Sequence, residues 1–315
     1  MMHPVLKKID KKLAQIPSIS AITDYLTGSE LNSFLLEIFQ ARTKKITHTE
    51  LLRQFDENRF VQPATVDTIQ IKKLELKGLE LAEEAGFSVV TLSPLVPLGS
   101  CSVVGKVDQN NVVSATRGTE IVSDATNVLA LKIAAETKKR GKGLNLLQYA
   151  TVHRHVRGQA FDNPAFSAHF SVFCLATGGL DTGDFAFESE QLVDHLEWHY
   201  QLLSEYFSDE QLLIKIFLKN RDSRFKSRLA EKFGEEINNG KVECIEEENP
   251  NDYYQQVQFK IYLRKQDQLI DMADGGLVDW TQKLLSNRKQ RLFISGTGLE
   301  LVAKLSEKLK NSVDR

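Results

Sequence analysis

Arg291-Leu292-Phe293-Ile294-Ser295, followed by Gly296-Thr297-Gly298-Leu299-Glu300-Leu301, is the stretch that decides the fold. The first five residues read as a short apolar strand. The glycines read as a junction, and Val302, Leu305 and Leu309 continue at helical spacing. Such a junction is a place where a nucleotide can sit, because glycine lets backbone approach a ligand and a helix start offers free N–H groups.

Working back from it, the preceding elements alternate between strands and helices. Val257–Leu263 and Leu269–Met272 read as strands that lead to Gly275-Gly276 and a helix from Val278 to Leu285. Leu212–Leu218 alternates as a strand, and a basic helix follows around Ser223–Phe233. Glu188–Tyr206 is an amphipathic helix with Leu192, Leu196, Tyr200 and Leu203 on one side. Two strands, Leu147–Val156 and Phe166–Ala176, flank a loop from Arg157 to Pro164 that holds the turn formers Gly158, Asp162, Asn163 and Pro164. Ser123 or Asp124 can cap a helix carrying Val128, Leu131 and Ala135. Val112–Thr116 and Phe87–Leu92 are further short strands. A long helix from about Val66 to Ala85 ends at Gly86, where a left-handed cap is wanted. Strands in hairpins with helices between them predict an α+β fold, with a mixed, mainly antiparallel sheet flanked by helices. Pro63 marks a boundary. Residues 1–62 read as a helical appendage with an apolar stripe at Leu31, Phe34, Leu35, Ile38 and Phe39, and residues 63–315 as the core domain. Thr47 and Glu50 are spaced as a capping box.

With 42% hydrophobic and 26% charged residues, the composition is that of an ordinary globule. A net charge of −2 gives no overall attraction to nucleic acid. Cys101, Cys174 and Cys244 are odd in number and widely spaced, which excludes a disulfide framework and points to a cytoplasmic location. Residues 1–12 lack the apolar centre of a signal peptide, and no run reaches about 18 apolar residues, so no membrane partner is expected. His195 and His199 stand one helical turn apart, a spacing that can bind metal, although the order is not that of a zinc protease. His153-Arg154-His155 invites the same thought. Lys138-Lys139-Arg140-Gly141-Lys142 at a helix end offsets the dipole, and Glu246-Glu247-Glu248 reads as a solvated turn.

Three ordered features resemble the class II aminoacyl-tRNA synthetases. The long helix, Gly86-Phe87 and a strand ending at Pro94 resemble motif 1. The antiparallel strand pair with Arg154 resembles motif 2. Gly296-Thr297-Gly298-Leu299-Glu300 before an apolar helix resembles motif 3, and Gly275-Gly276-Leu277-Val278-Asp279 sits where the histidyl-type branch carries a similar segment. The resemblance covers roughly residues 63–310. It implies attack of an amino-acid carboxylate on the α-phosphate of ATP, with Arg154 as the catalytic phosphate contact, since a guanidinium binds oxyanions bidentately. Gly296, Gly298 and Glu300 would border the nucleotide, and Asp271 and Asp274 would hold Mg²⁺. The stretch from Arg117 to Thr126 corresponds to the amino-group-binding loop. There Arg117, Glu120 and Asp124, together with Gly275 and Gly276, are the substrate-binding candidates. Glu120 or Asp124 would pair with the substrate ammonium, unless Asp124 only caps the helix. A homodimer built on motif 1 is implied as well.

The departures weigh as much. Motif 2 has a glutamate two residues after its arginine, where this chain has Val156. Motif 3 ends Glu-Arg, where this chain has Leu301. The chain stops at Arg315, so the anticodon-binding domain of the histidyl-type enzymes is expected to be missing, which disfavours tRNA as a partner. Two functions follow from the resemblance. One is ATP-dependent activation of an amino acid or related carboxylate as an adenylate. The other is a non-catalytic paralogue that binds an amino acid or nucleotide and regulates a partner enzyme, like the synthetase-like subunit of ATP phosphoribosyltransferase.

Overall fold

The computed structural model describes residues 19–140, 146–159, 167–219, 222–238, 241–246 and 253–306. Asp162, Asn163, Pro164, Gly141, Lys142, Glu247, Glu248, Leu309 and the first twelve residues lie outside the described residues.

The N-terminal part is three helices, α1 (Ile19–Tyr25), α2 (Gly28–Thr43) and α3 (His48–Glu57). Thr27 and Glu30 close a full capping box on α2. At α3 the Thr47 hydroxyl accepts from the Glu50 N–H at 3.2 Å, but the Glu50 carboxylate takes a hydrogen bond from Gln54, so the second half of the expected box is absent. Neither α2 nor α3 has a buried residue. Their apolar stripe stays open: Phe34 is 46% exposed and Phe39 53%.

Helix α4 (Thr68–Glu84) starts at Asp67, whose carboxylate accepts from Gln70 N–H. It ends as expected, with Gly86 at φ +85°. Two bonds close the terminus, Gly86 N–H to Glu83 and Phe87 N–H to Ala82, which satisfy carbonyls the helix leaves over. The strand expected after it shrinks to β1 (Ser88–Val89). Next, β2 (Leu95–Pro97) and β3 (Thr119–Ile121) pair as a separate two-stranded sheet. Val112–Thr116, read as a strand, makes only an isolated bridge from Ser114 to Glu120. The chain then enters α5 (Ala125–Arg140), β4 (Leu147–Val156), β5 (His169–Leu180), α6 (Ala186–Ser204), β6 (Leu212–Leu218) and α7 (Ser223–Asn238). It ends with β7 (Val242–Glu246), β8 (Gln255–Lys265), β9 (Gln268–Val278), α8 (Trp280–Leu284), β10 (Gln290–Gly298) and α9 (Leu299–Leu305). Strand β7 went unread in the sequence because it is short and its glutamates resemble a turn.

The main sheet has the order β1-β4-β5-β10-β9-β8-β6-β7. The interior pairings are antiparallel, and β1 and β7 add in parallel at the two edges. One sheet face carries Phe173, Leu175, Phe259 and Phe293 under α4, α6, α7 and α9. The other carries Cys174, Ala176, Leu292 and Ile294 under α5 and α8. Burying aromatic and aliphatic side chains on both faces removes most of the sheet from water, which is the dominant favourable term in folding.

Two glycine pairs sit differently from the sequence reading. Gly275 and Gly276 lie inside β9, paired with Ser295 and Ile294. A Cβ on Gly275 would stand 2.5 Å from Ser295 Cβ, and one on Gly276 would stand 2.5 Å from the Val257 carbonyl oxygen and 2.7 Å from the Tyr254 ring. Both glycines therefore permit close packing across the sheet. Gly296 and Gly298 lie inside β10, so the helix begins only at Leu299.

Candidate functional site

A cavity of about 910 Å³ lies on the α5 side of the sheet. Strands β5 and β10 contribute Val172, Cys174, Ile294 and Gly296, and β9 contributes Asp271 to Asp274. The start of α5 adds Ser123, Asp124 and Thr126, and Tyr253 and Tyr254 add two rings. The start of α9 adds Glu300, Leu301 and Lys304. Ala64, Thr65 and Val66, just outside the expected appendage boundary, line it too.

Strand alternation decides which motif 2 residues reach the cavity. His155 and, just past the strand end, Arg157 line it. Arg154 faces the other way. Its Nε donates to His169 Nδ1 at 2.7 Å, and its terminal nitrogen lies 3.0 Å from Glu300 Oε1. That contact is a charge pair and not an aligned hydrogen bond, because neither atom has an aligned partner. The other Glu300 oxygen accepts from the Ser171 N–H at 2.6 Å. Burial raises the Glu300 carboxyl above its usual range despite Arg154 and the Ser171 amide. Arg154 and Glu300, two candidates from separate motifs, are thus brought together, but on each other.

The amino-group loop splits in the same way. Glu120 is fully buried, and its carboxylate accepts from the Gly99 and Cys101 N–H groups and from Gln109. Burial pushes its carboxyl up, but these donors outweigh it and leave it below the ordinary value. Its work is to hold the turn Ser100–Val104. Arg117 sits in a turn at φ +64°, with its N–H on Asn32 Oδ1 at 2.5 Å. Neither lines the cavity. Asp124 caps the helix and also reaches the cavity wall. One oxygen accepts from the Thr126 N–H at 2.9 Å, while the other meets the Tyr253 hydroxyl at 3.4 Å at the cavity wall.

Asp271 and Asp274 both line the cavity, but each has a commitment. Asp271 pairs with Lys260 at 2.5 Å. Asp274 accepts from the Tyr254 hydroxyl at 2.9 Å, and burial, reinforced by Asp271, pushes its carboxyl up to about 6. Among the described residues, no three His, Cys, Asp or Glu side chains gather as a metal cluster. Gly296, Gly298 and Glu300 line the cavity; Gly275 and Gly276 do not. Leu301 forms wall where the resemblance places an arginine.

His155 is neutral, with its value drawn down to about 4 by burial. Its Nε2 accepts from the Ala125 N–H at 2.9 Å, so its Nδ1 carries the proton. The His195–His199 pair is not a metal site. Thr177 and Ser295 flank His195 at 2.9 and 2.8 Å, and Thr297 and Ser295 flank His199 at 2.6 and 2.7 Å, so every ring nitrogen has a hydroxyl partner. The residues missed from sequence are Arg157, Tyr253 and Tyr254. The available signals were strand parity from His155 and an aromatic doublet just before a strand.

No protein-family model matches this chain, and no curated protein matches it. Solved structures do. An ATP phosphoribosyltransferase regulatory subunit/histidyl-tRNA synthetase from Bacillus halodurans C aligns at 13% identity over 79% of this chain and 82% of that one, with a TM-score of 0.59. Apo histidyl-tRNA synthetase from S. aureus aligns at 11% identity over 79% and 69%, also at 0.59. A histidine–tRNA ligase subunit from Alicyclobacillus acidocaldarius aligns at 10% identity over 81% and 97%, at 0.55. The sheet order, the helix layers and these alignments agree: the chain has the class II synthetase-like fold.

Proposed function

We propose that this chain is a non-catalytic synthetase-fold protein that binds a small ligand bearing an amino group, an amino acid or close analogue, and regulates a partner protein. The observation that carries the reading is the Arg154–Glu300 pair, which takes the motif 2 arginine away from the cavity. Leu301 withholds the second cation. Of the four lining carboxylates, Asp271 pairs with Lys260 and Glu300 with Arg154, which leaves Asp124 and Asp274 beside the lining cations Arg157 and Lys304. Asp124, with no cation paired to it among the described residues, supplies the anionic contact an ammonium needs. Each missing charge-assisted phosphate contact costs on the order of 2–5 kcal/mol of binding or transition-state stabilisation. With Asp271 on Lys260 and Asp274 poised to hold a proton, the carboxylates do not fit Mg²⁺ either. Asp124, with Tyr253 beside it, is the ammonium contact. One structural neighbour is an ATP phosphoribosyltransferase regulatory subunit/histidyl-tRNA synthetase, and that likeness supports a partner protein. Ile69 and Leu76, seven residues apart on α4 and 64% and 57% exposed, offer a face for self-association.

The test pairs two measurements. ATP–pyrophosphate exchange with each proteinogenic amino acid is expected at background, and thermal-shift titration without ATP is expected to find one that stabilises the fold. Asp124→Asn, which removes a charged partner, should weaken that binding by roughly ten- to a hundredfold. Robust exchange with any amino acid overturns the reading.

A further inference from the structure

We propose that residues 58–66 are a strap across the opening of the cavity, fastened at two points, and that Arg154 is the positioning residue that sets one of them. The segment leaves α3 and runs to α4. Thr65 is both exposed and part of the cavity lining, which puts this stretch at the rim. At the first fastening, one terminal nitrogen of Arg59 donates to the Gly158 carbonyl at 2.9 Å and the Gln159 carbonyl at 2.5 Å. Those residues follow Arg157, and Gln159 lines the cavity. At the second, His169 Nε2 donates to the Gln62 carbonyl at 2.7 Å. A carbonyl can only accept, so the His169 proton sits on Nε2, and Nδ1 must be the acceptor. The Arg154 Nε–H on Nδ1 enforces that tautomer. Glu300, held by the Ser171 N–H, in turn anchors Arg154. The arginine that the motif assigns to phosphate therefore ties the N-terminal segment to the cavity wall.

The device controls access to the cavity, whatever the cavity takes. Loss of the Arg154 contact frees the His169 proton to move to Nδ1 and releases Gln62. Because strands β4 and β5 carry Arg154 and His169 on paired, hydrogen-bonded backbone, the fixed side of the latch is stiff and the strap is the moving side.

The three thiols provide the test, with iodoacetamide as the probe on the full-length protein. Cys174 is 1% exposed and lines the cavity. Cys101 is equally buried, against the Ser123 hydroxyl at 3.1 Å, and does not line it. Cys244 is exposed. Rates of alkylation are read peptide by peptide by mass spectrometry. Arg59→Ala removes the first fastening and should raise the Cys174 rate by about tenfold, with Cys101 and Cys244 unchanged. Arg154→Gln should raise it as well, through His169. Arg59→Met, which keeps the length of the side chain but has no donor, covers the case in which the alanine variant fails to fold. An equal rise at Cys101 means general loosening and overturns the strap, as does an unchanged Cys174 rate in the variants that fold. The assay uses no amino acid or ATP, so it can fail independently of the proposed function.

Discussion

Acidification from pH 7 toward 4 is expected to unfold the protein, mainly through two histidines far from its surface. His195 and His199 are both fully buried. Burial draws His199 down to about 3 and His195 well below its ordinary value of 6.5, with His199 adding to the shift on His195. The unfolded chain binds these protons from about pH 6.5 downward, and the folded chain does not. Stability is therefore intact above about 6.5 and falls as the pH drops, by about 1.4 kcal/mol per unit per group. The pair together loses roughly 5 kcal/mol over two units, a large part of the ~5–15 kcal/mol typical of a folded protein. His155, drawn to about 4, adds to the loss. Asp274 works in the opposite direction. Its folded value of about 6 lies above the ordinary 3.8, so its burial favours the fold most at low pH and less as the pH rises through 6. Glu300, also raised by burial, acts with Asp274, while Glu120, held low by its donors, acts with the three imidazoles, and the imidazoles leave the net effect destabilising. Urea midpoints measured at intervals from pH 7 to 5 check this. A flat midpoint would mean that the histidines are charged in the fold.

Gly275→Val should be strongly destabilising to the sheet, even though the sequence offered this glycine as a binding residue. The new Cβ alone would stand 2.5 Å from Ser295 Cβ, 2.6 Å from the Phe259 ring and 2.7 Å from the Ile294 carbonyl oxygen. Two of those three neighbours are a strand's own Cβ and backbone, which move only if β10 moves. Ser295 also bridges the two buried histidines, so a shift there breaks their network as well. Overpacking of this kind costs about 1–3 kcal/mol even where side chains can adjust, so the expectation is that value or more. The readout is the urea midpoint, or recovery in the soluble fraction. Gly234→Ala is the control of opposite sign. It stands in α7 with nothing within 4 Å of its Cβ position, and losing a helical glycine should be neutral or stabilising by up to ~1 kcal/mol. A midpoint for Gly275→Val equal to wild type would remove the packing account of the glycine pair.

Much of the fold could be read from residue order, because the signals were local. Leu212–Leu218 is apolar at every position but Lys215, and the strand has those bounds. The α4 terminus was legible in Gly86 because a left-handed residue there demands glycine. Phe87–Leu92 and Val112–Thr116 were overread for the converse reason. Only Ser88 and Val89 of the first pair with β4, and the second makes one bridge, Ser114 to Glu120, so β propensity reached further than the pairing the fold supplies. Burial limited what could be read of the site. Glu120, Asp124, Asp271 and Asp274 look alike in a sequence, yet one holds a turn, one caps a helix, one pairs with a lysine and one is poised to take a proton.

By itself the sequence determined the α+β class, the order of three motif-like segments, and the absence of an arginine at position 301, since each is a property of residue type and spacing. Only the tertiary structure decided what Arg154 does. The parity of β4 turns it from the cavity, and the packing of α9 places Glu300 within 3.0 Å of it. It also decided that the helical appendage touches the cavity wall, through Arg59 on the Gln159 carbonyl. Arg59 reaches Gly158, a contact between residues 99 positions apart that no local pattern encodes. Local physics writes helices, strands and caps into neighbouring residues. A charge acquires its role only when distant segments bury it together, because its energy depends on the partners and the dielectric that the fold supplies.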